Sequence, residues 1–198
     1  MSSHVASSEP TWVGPVLDFW FREIDSQLWF VTNDALDERI RQSFLELHGH
    51  IARSDAREFA SARTLLAAII VMDQFSRNMF RGTPRAFSAD PLARRLAERL
   101  IGDRLDLAMT HAERHFVYLP FEHSEDLEHQ ALAVRLIEPL GDASWTNYAR
   151  MHQATIMRFG RFPHRNQILG RTCTDDEVAF LAGCAESHRD PLHIQDRP

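Results

Sequence analysis

Eight consecutive apolar residues, Leu65 to Met72, run directly into a densely polar stretch, Asp73-Gln74-Phe75-Ser76-Arg77-Asn78-Met79-Phe80-Arg81. A helix from Ala62 to Phe80 carrying that run is apolar on every side, and such a helix belongs at the centre of a bundle. The run is too short to span a bilayer. The polar continuation of a core helix must be hydrogen-bonded or line a cavity that a ligand completes, because unpaired buried polar groups are costly. Asp73 and Arg77 stand four apart, share a face and can pair, and Arg81 lies one turn further.

The rest of the chain reads as helices around this one. Gly14 to Phe21 is short and apolar, and the aromatics of Ile24 to Asn33 suit a loop tucked into the body. Asp34 can cap a helix to Arg53 whose Leu36, Ile40, Phe44 and Leu47 keep helical spacing. Asp90 with Pro91 can open a helix to Ile101. His111 to Leu119 should end before Pro120, and a helix from about His123 to Pro139 follows. Ala143 to Phe159 is the next, closed by Gly160. Thr174 can cap a last helix through Ala185, whose Asp175, Asp176 and Glu177 suit its dipole. Alternating strand patterns are absent. The expected class is all-α, about seven helices joined by short connections and packed as antiparallel neighbours. No 34-residue repeat signature is visible. A length of 198 residues fits one domain, placed at 11–188 between tails at 1–10 and 189–198.

Composition removes several chemistries. All 22 basic residues are Arg, so Schiff bases, pyridoxal-phosphate attachment and the lysine-bearing phosphate loop are excluded. No G-x-G-x-x-G occurs, and no cofactor is expected. Cys173 and Cys184 form no C-x-x-C, which points to two reduced thiols in a cytoplasmic protein. Residues Met1 to Glu9 lack a secretory pattern, and no membrane association is expected. A net charge of −6 argues against a nucleic-acid binder.

Three polar segments carry the candidate site. The first supplies Asp73, Gln74, Arg77, Asn78 and Arg81. The second is Phe121-Glu122-His123-Ser124-Glu125-Asp126, read as a helix start with Ser124 as a plausible N-cap and Glu125 within pairing distance of His129. The third is Arg158-Phe159-Gly160-Arg161-Phe162-Pro163-His164-Arg165-Asn166, continuing to Gly170-Arg171, in which four Arg and one His cluster around a helix end and loop beside two Phe. Guanidinium forks bind carboxylate or phosphate, and they equally satisfy helix ends and carboxylates such as Asp73, Asp90 or Glu125. Metal binding is not expected: His111 and His115 have ligand spacing without H-E-x-x-H, and a set of His123, Glu125 and His152 would sit among Arg. Neither Ser76 nor Ser124 lies in a G-x-S-x-G elbow, which weakens a serine nucleophile, and Cys173 is no stronger.

These segments resemble an uncharacterised bacterial family catalogued as domain of unknown function 924. The resemblance begins at Val16-Leu17-Asp18-Phe19-Trp20-Phe21, passes through Asp73–Asn78 and Tyr118–Asp126, and closes with Arg158–Asn166 and Leu169-Gly170-Arg171. It departs at Ser76, where the family favours Pro. The resemblance implies a helical fold like the tetratricopeptide-repeat superfamily and no particular activity.

Two functions compete. In one, the segments converge on a pocket for a small anionic ligand. Gln74, Arg77, Asn78, Arg81, Arg158, Arg161, Arg165 and Asn166 would bind it. His123 or His164 would serve as metal-independent acid or base, with Asp73 or Glu125 orienting an imidazole. In the other, the polar residues saturate one another and the chain is a scaffold that binds protein peptides.

Overall fold

The apolar run lies where its composition demands: every residue from Leu65 to Met72 is at most 1% exposed. The computed structural model describes residues 9–186. The expected tails at 1–10 and 189–198 fall almost wholly outside the described residues, although Glu9 is described and pairs with Arg63 at 3.2 Å. In chain order the helices are α1 (Val13–Asp18), α2 (Asp34–Ile51), α3 (Ala62–Ile70), α4 (Ser76–Met79), α5 (Asp90–Gly102), α6 (His111–Glu122), α7 (Leu127–Ile137), α8 (Ala143–Phe159) and α9 (Asp175–Glu186). No strand occurs among the described residues, so the fold is all-α. The count exceeds the expected seven partly because α3 and α4 are one rod, joined by a π-helical turn at Val71–Phe75. No described helix is long and apolar enough to cross a membrane.

The rod organises its neighbours. Helix α3 packs against α1, α5 and α6, and α2 covers the π-turn and α4; α6, α7 and α8 then pack in succession. Aromatic rings fill the space between α1, the loop after it and α6. Trp20 meets Phe75 and Phe116 edge-on, with centroids 5.5 and 5.6 Å away. Trp29 donates its indole N–H to the Trp20 carbonyl at 3.0 Å, which ties the aromatic loop into the body. Edge-to-face pairs of this kind add to the burial of their large surfaces.

Several boundaries differ from the sequence expectation, each for a local reason. Asn33, not Asp34, caps α2, accepting from the Leu36 N–H at 3.0 Å. Helix α6 does not stop before Pro120 but continues to Glu122. Leu119, Phe121 and Glu122 are all at most 1% exposed, and packing there outweighs one lost backbone bond near a helix end. His123 is therefore the C-cap of α6, not the start of the next helix. Helix α7 begins at Leu127, and its N-cap is Asp126, which accepts from the Glu128 and His129 N–H groups. Ser124 does not cap it. Gly160 ends α8 in the left-handed region at φ +68°, as its position predicted. Thr174 and Glu177 exchange bonds at the start of α9.

Candidate functional site

Arg77 is fully buried between two carboxylates. Its Nη1 donates to Asp73 Oδ1 at 2.9 Å and to Asp90 Oδ1 at 3.1 Å, and its Nη2 donates to Asp90 Oδ2 at 3.2 Å. The four-residue spacing of Asp73 and Arg77 survives the π-turn. Asp90 does not cap α5 as its position suggests: its carboxylate is drawn to Arg77, and α5 starts after Ala89 with no side-chain cap. Burial opposes ionisation of Asp73, yet Arg77 and then His123 hold its carboxyl below the ordinary carboxylate value. Burial wins at Asp90 and pushes its carboxyl upward against the pull of Arg77 and Arg165.

From Asp73 the network crosses to α6. Asp73 Oδ1 lies 2.8 Å from His123 Nδ1, and Gln74 Nε2 donates to Asp73 Oδ2. An ionised carboxylate only accepts, so His123 carries its proton on Nδ1 and any chemistry at the ring goes through Nε2. The His123 carbonyl accepts from Arg165 Nη1 at 2.9 Å. The Arg165 guanidinium is sandwiched between rings, 4.7 Å from the Phe87 centroid and 4.4 Å from that of Phe162. Two buried carboxyl groups, Asp73 and Asp90, thus lie among two buried guanidiniums, Arg77 and Arg165.

This assembly opens on a cleft of about 440 Å³. His123, Asp90 and Arg165, each at most 7% exposed, reach its lining. So do Ser124, Glu125, Asp126 and His129, together with Arg94 and an apolar wall of Phe87, Pro91 and Leu169. The hydroxyl of Ser124 lies 2.9 Å from His129 Nδ1. Glu125 does not pair with His129. Arg171 holds it at 2.7 and 2.9 Å, and the Phe162 N–H donates to it at 2.8 Å. Although burial opposes it, these contacts keep the Glu125 carboxyl below its ordinary value.

The remaining sequence candidates are engaged elsewhere. Asn78 and Arg81 grip Asp37 of α2, at 2.7 Å for the amide and 2.6 and 3.0 Å for the guanidinium. Arg158 pairs with Asp176 at 2.7 Å. Arg161 binds Glu177 at 2.6 and 2.8 Å, and both pairs fasten α9. Asn166 is buried and donates to Cys173 at 3.3 Å. His164 is half-buried beside Phe162, with ring centroids 5.5 Å apart, and is not among the cleft-lining residues. Glu122 and His152 form a buried pair at 3.0 Å. His115 stacks on Trp145 with centroids 4.1 Å apart. Among the described residues, no three His, Cys, Asp or Glu side chains are grouped so as to hold a metal ion.

Sequence reasoning missed Phe87 and Arg94 as lining residues and Asp37 as the partner of Arg81. Only Phe87 carried a signal, since it stands in the punctuated stretch between Gly82 and Pro91 that brings a loop back over the end of the rod.

Fold and site together define an all-helical protein in which a buried ion network reaches a polar cleft. The sequence of residues 16–184 matches the family described as "Bacterial protein of unknown function (DUF924)", and the chain belongs to that family. It is similar to a solved structure of a protein of unknown function from Agrobacterium tumefaciens, ATU0120, at 38% identity and a TM-score of 0.81, over 87% of this chain and 97% of that one. No curated protein matches the chain.

Proposed function

We propose that the cleft binds a small molecule carrying an acidic group, with Arg165 and Arg94 as its cationic partners and His123 as proton donor or acceptor. The observation that carries this reading is the emergence of three deeply buried polar groups, His123, Asp90 and Arg165, in one cleft from three separate parts of the chain. Stability alone does not call for such an arrangement, since well-packed apolar residues often replace buried ion pairs without loss. Asp73 orients the His123 ring from behind, as a carboxylate does for a catalytic imidazole. The apolar wall of Phe87, Pro91 and Leu169 suits the ligand's carbon skeleton.

A thermal-shift screen of carboxylates and phosphates tests it. A ligand at ~100 times its Kd adds about 2.7 kcal/mol, which at this size raises the midpoint by roughly 5–11 °C. The shift should vanish in Arg94→Ala and His123→Gln whose circular dichroism is native. No shift in the wild-type protein, or equal shifts in both variants, overturns the reading. That outcome would favour a peptide-binding scaffold, to which the saturation of Arg77, Arg81, Arg158 and Arg161 by carboxylates lends support.

A further inference from the structure

We propose that Ser124 is a nucleophile for acyl transfer, activated by His129, and that the substrate is an ester of a small organic acid; this rests on the reading of the cleft as a ligand site. Three observations carry it. The Ser124 hydroxyl is not used as a helix cap, because Asp126 caps α7, and it faces His129 Nδ1 at 2.9 Å. A nucleophile and a base within hydrogen-bond reach of each other in a cleft are the minimal apparatus of nucleophilic catalysis. Asp126 Oδ1 stands 4.0 Å from the same nitrogen, so a carboxylate lies beside the dyad. The backbone beneath the hydroxyl is held rigidly: the buried side chain of Gln130 donates to the carbonyls of Glu122 at 2.6 Å and Ser124 at 2.7 Å.

The missing G-x-S-x-G elbow weakens the sequence signal for a serine nucleophile, but the geometry supplies another way to present one. The elbow exposes a serine between a strand and a helix, whereas here the turn between α6 and α7 presents the hydroxyl to the cleft. In the first step the bond between Ser124 Oγ and the acyl carbon forms and the ester C–O bond breaks. The hydroxyl proton passes to His129 Nδ1 and on to the departing alkoxide. Water then attacks the acyl-serine, its proton returns through His129 to Ser124 Oγ, and the carboxylic acid leaves. Arg94 and Arg165 on the same cleft are placed to anchor a second acidic group of the substrate.

The full chain treated with a fluorophosphonate probe tests the dyad by intact mass and peptide mapping. Ser124 should displace fluoride and carry one phosphonyl group. Ser124→Ala should lose the adduct, and His129→Gln should slow labelling by about 100-fold, the lower range for a general base. His129→Asn serves as a second variant if His129→Gln does not fold. An unlabelled Ser124, or an equal rate in the folded His129 variant, overturns the proposal. A protein that shows the acid-induced thermal shift but no labelling refutes the dyad and keeps the binding reading. Labelling without any shift keeps the dyad and refutes the acid anchor, and neither signal refutes both.

Discussion

His123 Nδ1 lies 2.8 Å from Asp73 Oδ1 across 50 residues of chain, inside a protein region where neither side chain is more than 3% exposed. The same carboxylate oxygen also accepts from Arg77 at 2.9 Å, so Asp73 serves a guanidinium and an imidazole together. Removing its charge leaves Arg77 with a single carboxylate. Asp73→Asn should cost about 3–5 kcal/mol, as breaking buried pairs does, and lower the melting midpoint by roughly 6–20 °C. Chemical denaturation of the variant checks it, and a loss below ~1 kcal/mol would contradict the pairing. Nitrogen-resolved imidazole spectra of the wild type should show His123 protonated on Nδ1.

His48 makes a pH prediction of definite sign. It is 3% exposed, 2.8 Å from the Ser76 hydroxyl, and burial followed by the nearby Arg85 pushes its pKa down to about 4. The unfolded chain takes up this proton near pH 6.5. The stabilising contribution of neutral His48 is therefore complete above that value and is lost as the pH falls from about 6.5 to about 4. The loss should be at most about 3.5 kcal/mol, less where solvent screens the ring. Melting curves of wild type and His48→Asn across this window should converge at low pH, and parallel curves would refute it.

Helix α9 should detach before the rest unfolds. Its apolar contacts form a small satellite of Ile156, Phe162 and Phe180, separate from the main core. The Arg161 pair first, and then the Thr174 N–H, hold the Glu177 carboxyl at about 2 against burial. Its contribution is present above the ordinary glutamate range and disappears as the pH falls towards about 2. Glu177→Gln at neutral pH should speed amide hydrogen exchange in 175–186 and leave that of 65–72 unchanged. Equal acceleration in both would mean that α9 and the core open as one unit.

What the sequence disclosed follows from the range of the interactions involved. The burial of Leu65–Met72, the Asp73–Arg77 pair, the Gly160 terminus and the Thr174 start are all encoded within a few residues, by periodicity, spacing or backbone conformation. The caps failed where a side chain had another partner: Asp90 turned to Arg77, 13 residues away, and Ser124 to His129, five residues on, while Asp126 took the cap. Asp37 and Arg81 stand 44 residues apart, and no local pattern links them. Of the three polar segments expected to converge, the second and third reach the cleft, whereas no residue of Asp73–Arg81 is among its lining. Most of the Arg residues meant for a ligand had carboxylates waiting on other helices.

Gln130 should prove a positioning residue for the cleft. It is fully buried, and its amide bonds to the Glu122 and Ser124 carbonyls join the end of α6 to α7. Gln130→Leu keeps much of the volume and removes the donors, stranding two carbonyls, with an expected loss of about 1–3 kcal/mol. A purely structural effect would lower the midpoint and nothing else. Positioning predicts more: faster hydrogen exchange confined to 122–126, and a weakened response of the folded variant to any acid that shifts the wild-type protein. Restoring a donor with Gln130→Asn should recover part of the stability only if the shorter arm still reaches one carbonyl. An unaltered exchange pattern at 122–126 in Gln130→Leu would show that the turn between α6 and α7 holds its shape without this side chain.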